Sequence, residues 1–241
     1  MSLETLIDEL ARAADPEKAA FFPRFFKTGP GEYGEGDVFL GVTVPEQRRI
    51  ARRHKDLPLE QVSELLRSEV HEHRFTGFVI LVERFARADE AGRGRLFEFC
   101  REHLSRMNNW DLVDTVAPRL IGEYLLEHPE LKPLLYGWAG SPVLWERRIA
   151  IMSTLAFIRA GDFTDTLKLA GVLLHDPHDL MHKAVGWMLR EVGNRDRTAE
   201  ETFLDRHAWE MPRTMLRYAI EKFSPARREH YLKIRSAPPV A

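Results

Sequence analysis

Apolar residues recur along the chain at intervals of three and four with polar residues between them, so nearly every segment carries the period of an α-helix. Sustained alternation at period two between turn signals is missing from the sequence, and no strand is predicted. Ser2 to Ala14 and Pro16 to Lys27 read as two helices. The second opens with proline, which a first helical turn tolerates because its missing N–H would have no partner there. Further helices are predicted at Pro45–His54, Leu59–Ser68, Glu72–Ala88, Glu90–Leu104, Trp110–Glu127, Pro129–Trp138 and Pro142–Arg159, then at Phe163–Leu174, Asp179–Val192, Ala199–His207, Pro212–Phe223 and Pro225–Ile234. Connections are short and often hold Pro or Gly, which favours antiparallel neighbours. The segment 236–241 reads as a frayed tail.

One connection is long. Thr28 to Gly41 is rich in glycine and superficially resembles a phosphate cradle, yet it lacks the Gly-Lys-Ser/Thr ending and a preceding strand, and it carries Glu32, Glu35 and Asp37. A connector, ordered or mobile, is the favoured reading.

The longer helices repeat. Trp145-Glu146-Arg147-Arg148-Ile149-Ala150-Ile151, Met181-His182-Lys183-Ala184-Val185-Gly186-Trp187 and Met215-Leu216-Arg217-Tyr218-Ala219-Ile220 each place a basic residue before an apolar, alanine-containing segment. Arg148, Lys183 and Arg217 are 35 and 34 residues apart, and Asp114 lies 34 before Arg148. That interval is one helix pair per repeat. The expected fold is all-α: a single domain over 1–241, built as a curved right-handed solenoid of stacked antiparallel helix pairs, HEAT-like, with a concave basic groove. Equivalent positions in stacked repeats share a face, so Asp114, Arg148, Lys183 and Arg217 should form a stripe along it.

Composition narrows the function classes without choosing one. With 241 residues, 44% of them hydrophobic and 30% charged, the chain can bury a substantial core. Its net charge of −2 gives no global basic signal, so any polyanion surface must come from local segregation of charge. The single cysteine, Cys100, excludes an intramolecular disulfide and fits a reducing compartment. Met1 to Leu10 lacks the basic-then-apolar pattern of a signal peptide, and the most apolar run, Phe75 to Val82, is far shorter than the roughly 20 residues of a membrane span. The expectation is a cytoplasmic, soluble protein with no membrane association.

A row of basic residues on one face suits a polyanion, since each can neutralise a phosphate and release counterions. Arg147 beside Arg148, and Arg190 three residues after Trp187, extend the patch. The paired arginines elsewhere, Arg48-Arg49, Arg52-Arg53 and Arg227-Arg228, read more simply as solvated faces. Asn108 or Asn109 should cap the helix that begins at Trp110, placing an indole and the Asp114 carboxylate four residues apart on one helical face. Trp110 and Trp187 each share a face with a charge that could not be buried cheaply, so they read as walls against which a sugar or base could pack. Trp138, Trp145 and Trp209 read as core. Asp114 is the member that binding alone leaves unexplained: a carboxylate among phosphates is either neutralised by Arg148 or serves chemistry. A lone carboxylate between indoles suits cleavage of an N-glycosidic bond to a base that already carries positive charge, because such a base leaves without a general acid.

Trp110-Asp111-Leu112-Val113-Asp114, then Leu144-Trp145-Glu146-Arg147-Arg148-Ile149-Ala150, then His182 to Glu191 resemble the bacterial AlkD-type DNA alkylation-repair glycosylases over nearly the whole chain. The resemblance implies a HEAT-like solenoid that excises cationic alkylated purines such as 7-methylguanine and 3-methyladenine from duplex DNA, with no metal or other cofactor. It implies that Asp114 is catalytic, that Trp110 and Trp187 contact the sugar of the lesion nucleotide, and that Arg148 holds a backbone phosphate. Lys183, Arg147, Arg190 and Arg217 are the further phosphate-binding candidates. It also implies chemistry without turning the base into a pocket, and a monomer with no obligate protein partner. This chain departs from the family in carrying Phe25-Phe26 where a tyrosine is familiar, and in its longer loop from Thr28 to Gly41.

Two other readings share the same surface: a non-catalytic binder of unusual DNA structures, and a protein–protein scaffold. The run His175-Asp176-Pro177-His178-Asp179-Leu180-Met181-His182 has spacings that could ligate a metal, though its place at a loop-to-helix junction favours a capping role, and His71-Glu72-His73 is a weaker candidate. Cys100 reads as a buried thiol.

Overall fold

The computed structural model describes residues 2–234, and the predicted tail at 236–241 lies outside them. The fold is all-α. Among the described residues the only extended pairing is a single isolated bridge between Val38 and Val70. No helix there is long and apolar enough to cross a membrane. Packing divides the chain into two compact units, Met1–Leu120 and Ile121–Ala241.

In the first unit the helices are α1 (Leu3–Arg12), α2 (Pro16–Phe25), α3 (Val44–Arg53), α4 (Leu59–Arg67), α5 (His71–Phe85), α6 (Glu90–Glu102) and α7 (Trp110–Val116). Their starts follow from local chemistry. Ser2, Asp15 and Asp89 cap α1, α2 and α6 by accepting the N–H of Thr5, of Glu17 and Lys18, and of Gly92. Helix α5 is the centre, with α1, α3, α4, α6 and α7 packed around it. Its Phe75, Phe78, Ile80, Leu81 and Phe85 are buried, as are Leu6, Leu10, Ile50, Leu66 and Leu112 on its neighbours.

The connection from Thr28 to Gly41 is an ordered connector, and its acids explain why. Glu32 and Glu35 accept the N–H groups of Gly29 and Gly31, each at 2.9 Å. Glu72, fully buried at the start of α5, accepts those of Leu40, Gly41 and Val42 at 2.8–3.2 Å and pins the end of the loop. Gly41 has φ 84°, and a β-carbon there would lie 2.1 Å from the Asp15 carbonyl oxygen, so α2 can approach only glycine.

The segment predicted as one helix from Trp110 to Glu127 is interrupted. After α7 the chain widens into a π-helical turn at Ala117–Ile121, and an α-helix resumes as α8 (Gly122–Glu127). Pro118 has no N–H to give to the Asp114 carbonyl, so the regular ladder fails at that position.

The second unit continues with α9 (Pro133–Ala139), α10 (Leu144–Ala160), α11 (Thr164–Val172), α12 (Asp179–Gly193), α13 (Arg197–His207), α14 (Arg213–Ala219) and α15 (Pro225–Lys233). The predicted helix Pro129–Trp138 is a 3-10 turn at Pro129–Leu131 followed by α9, because Pro133 again breaks the ladder. Helices α8, α10, α12 and α14 pack in a row, each against the next, while α9, α11 and α13 pack on α10 and α12 as a second layer. This is one helix pair per 34 or 35 residues, the period predicted from sequence. Close approach is built in: a β-carbon on Gly122 would lie 2.1 Å from the Ser153 carbonyl oxygen of α10, and one on Gly186 would lie 2.4 Å from that of Met215 in α14.

Candidate functional site

Asn109 caps α7 as expected, its side-chain oxygen accepting the Trp110 N–H at 2.8 Å. Trp110 and Asp114 are both half-buried and both line one cavity of about 600 Å³ in the first unit. Its walls are aromatic. Phe21, Phe22, Phe25 and Phe26 of α2 and its end face it, with Phe75 of α5 and Val44 of α3. The Phe26 ring stacks on Trp110 with centroids 5.7 Å apart, and Phe25 meets the same indole edge-on at 5.8 Å. Phe25 is nonetheless 51% exposed, so the wall continues to the surface. Where a family tyrosine was expected, this chain therefore presents two phenyl rings that fix the orientation of Trp110 by packing. Lys18, Arg48 and Arg119 also line the cavity.

Beneath Trp110 lies a charged network that the sequence reading missed. His71, at the start of α5, bridges two carboxylates: Nδ1 is 3.0 Å from Asp37 and Nε2 is 2.8 Å from Asp111. Arg74 donates to Asp37 at 2.5 Å and Asn108 donates to it at 3.2 Å. All three members of the bridge are buried. Burial opposes charge on His71, but the Asp111 and Asp37 carboxylates outweigh it and raise its pKa to about 9. At neutral pH the ring is an imidazolium that donates from both nitrogens. Asp37 is pushed up by burial, yet His71, Arg74 and Asn108 together hold it below its ordinary range. The network ties the long loop, α5 and the first turn of α7 together, and His71 also packs 4.8 Å from the Phe26 ring. Its members are 34 and 40 residues apart in sequence, so no local motif announced them.

In the second unit the candidate residues lie on α10, α12 and α14, consecutive helices of one row, and their environments differ. Arg148 on α10 is only 4% exposed and donates to the Leu180 carbonyl at 2.7 Å. Arg147 is bound to Asp176 at 2.6 Å and to the carbonyls of Ser141 and Pro142 at 3.0 Å. On α12, Lys183 pairs with Asp179 at 2.7 Å, Arg190 pairs with Glu221, and Trp187, half-buried, donates its indole N–H to Glu191 at 3.1 Å. Arg217 on α14 is exposed and makes no ion pair among the described residues. Trp209 corrects an expectation: it is 43% exposed rather than core, with its N–H donated to the Arg206 carbonyl. Trp138 and Trp145 are half-buried, also short of core.

The histidine run is structural. His178 caps α12 by accepting the Leu180 N–H at 3.1 Å, and His182 donates to the Asp176 carbonyl at 2.5 Å. No group of three His, Cys, Asp or Glu suited to a metal occurs among the described residues. Cys100 is fully buried, which pushes its thiol pKa up.

A protein-family model described as DNA alkylation repair enzyme matches residues 6–223. Among solved structures, the chain is similar to a predicted DNA alkylation repair enzyme from Enterococcus faecalis, with TM-score 0.68 and 16% identity over 88% of this chain and 97% of that one. It is also similar to smu.31 from Streptococcus mutans UA159, with TM-score 0.52 and 16% identity over 73% of this chain and 89% of that one. At such identities the likeness speaks for the fold alone. A search of curated proteins finds no match.

Proposed function

The chain belongs to the DNA alkylation repair enzyme family, and from that premise we propose that it is a DNA glycosylase that hydrolyses the N-glycosidic bond of cationic alkylated purines, 7-methylguanine and 3-methyladenine, in duplex DNA. The observation that carries the reading is Trp110 and Asp114 lining a single aromatic cavity, the indole held by two phenyl rings. A purine alkylated at N3 or N7 carries positive charge. When the bond to C1′ breaks, its electron pair passes to the base, which leaves neutral, and the sugar becomes an oxocarbenium-like cation. No general acid is required. The Asp114 carboxylate supplies negative charge where the sugar turns positive, and it accepts a proton from the water that attacks C1′. Trp110 packs against the sugar. The proposal extends to Trp187 as a second sugar contact and to Arg217 as a phosphate contact; Arg148, Lys183, Arg147 and Arg190 contact phosphates by exchanging their internal partners for them. It requires no cofactor.

Release of 7-methylguanine from methylated duplex DNA tests the reading. The wild-type chain should release the base, and Asp114→Asn should lose most of the release while keeping DNA affinity. A wild-type protein that binds duplex DNA tightly and frees no base would overturn the enzyme in favour of a non-catalytic binder. Little affinity even at low salt would instead favour a protein scaffold.

A further inference from the structure

We propose that Arg48 and Arg119 together form a phosphodiester-binding site at the unit-1 cavity, holding the backbone of the DNA strand that carries the lesion. The proposal rests on the glycosylase reading for its ligand, and its geometry stands apart from it. Both arginines line the cavity with Trp110 and Asp114, Arg48 from α3 and Arg119 from the π-helical turn after α7.

Most of the neighbouring cations are paired inside the protein, and Arg52, which makes no ion pair among the described residues, does not line the cavity. Lys18 is paired with Asp15, Arg49 with Glu46 and Arg53 with Glu9. Arg48 and Arg119 make no ion pair among the described residues. Glu83, whose field reaches Arg48, is engaged by Arg87 at 3.3 Å. Three carboxylates line the cavity with the two arginines: Asp111 is engaged by His71, Glu72 by the N–H groups of Leu40, Gly41 and Val42, and Asp114 is the proposed catalytic group. The two guanidinium groups are also close enough to repel one another: burial, and then the field of Arg119, hold Arg48 below its ordinary pKa. A fold that keeps two like charges facing one cavity is stabilised by an anion placed between them. Arg48 is preorganised for that ligand. Its guanidinium lies 5.7 Å from the centroid of the buried Phe75 ring, so part of its rotamer entropy is already lost before binding. Guanidinium groups match the oxygens of phosphate and carboxylate alike in geometry and charge, so the choice of a phosphodiester as the anion rests on the glycosylase reading.

Binding of the full-length protein to a short, undamaged, labelled DNA duplex tests the site, with affinity measured from about 50 to about 200 mM salt. Undamaged DNA keeps the measurement independent of base release. In Arg48→Ala/Arg119→Ala the slope of log affinity against log salt should become shallower by about two, since each phosphate contact contributes roughly 0.9. Low-salt affinity should fall about tenfold per arginine. Arg119→Ala alone, at an exposed position that leaves the core intact, should cost about one in slope. The Arg49→Ala/Arg53→Ala variant removes the same charge from internally paired positions of α3 and should keep a slope near that of wild type. Equal slope losses in the two double variants, or none in Arg119→Ala, would overturn the site. Base release with no slope change in Arg48→Ala/Arg119→Ala removes the site and leaves the enzyme. The slope change without base release by wild type supports the site and removes the enzyme.

Discussion

The Asp37–His71–Asp111 bridge makes the pH dependence of stability calculable. His71 has an ordinary pKa of 6.5, and the two carboxylates raise it to about 9 in the folded protein. A group whose folded pKa is raised contributes stability that is fully present below the unfolded pKa and disappears as pH rises through the folded one. At 1.36 kcal/mol per pH unit the displacement is worth about 3 kcal/mol, of which roughly 2.5 kcal/mol should be lost between pH 7 and pH 10. The window is fixed by the two pKa values, so stability falls on the alkaline side. Leucine at position 71 removes the cation. It leaves Asp111, which is buried, without its partner at Oδ2, and Asp37 with only Arg74 and Asn108. Breaking a buried pair from one side costs about 3–5 kcal/mol. His71→Leu should therefore be less stable than wild type by about that much at pH 7, and the gap should narrow by roughly 2.5 kcal/mol by pH 10. Urea unfolding of both proteins at several pH values between 7 and 10 measures the gap. A constant gap across that range would refute the reasoning, because it would mean that His71 is neutral in the fold and the bridge an ordinary hydrogen bond.

Three further substitutions probe the second unit. Gly186→Ala drives a methyl group to 2.4 Å from the Met215 carbonyl oxygen and 2.6 Å from the Tyr218 β-carbon, so it should destabilise by about 3 kcal/mol in urea unfolding. Gly171→Ala in α11 meets nothing within 4 Å and should instead gain up to about 1 kcal/mol from helix propensity. Glu200 is fully buried with one oxygen accepting from Arg197 at 2.9 Å and the other unpartnered; burial outweighs Arg197 and pushes its pKa up to about 8. Its folded pKa lies above the unfolded value of 4.5, so wild type loses stability as pH rises from 4.5 through 8. Glu200→Gln should match wild type near pH 5 and exceed it at pH 9 by roughly a few kcal/mol, a crossover that thermal unfolding at the two pH values would detect.

Periodicity revealed the helices because each buries one face, and that requirement acts locally on sequence. The repeat was legible for the same reason: Arg148, Lys183 and Arg217 recur at 34 or 35 residues because α10, α12 and α14 occupy equivalent places in one row. The interruptions at Pro118 and Pro133 were also written locally, as residues without an N–H, but the apolar pattern runs straight through both. Proline could have been read as a boundary at each. The network under Trp110 could not be read at all. A histidine, two aspartates and an arginine are common residues, and only the packing of α5 and α7 against the long loop makes them neighbours.

The cations show most clearly what a sequence withholds about a site. In sequence every arginine is one positive charge, and its value for an outside anion depends on whether an inside acid has already claimed it. Arg147 looked as available as Arg217, yet its Nε is engaged by Asp176 and its Nη1 by two carbonyls while Arg217 is exposed. Arg48 and Arg49 are adjacent and looked alike; one lines the cavity that Arg119 also lines and the other is bound to Glu46 on the preceding turn of the same helix. Helical geometry decides between them, since positions 46 and 49 share a face and position 48 points elsewhere. Local charge density is therefore a weak guide to polyanion contacts on a chain with net charge −2. The better guide is a cation that internal pairing leaves over and that also faces a cavity, and in the first unit Arg48 and Arg119 meet both conditions at the cavity that holds Trp110 and Asp114.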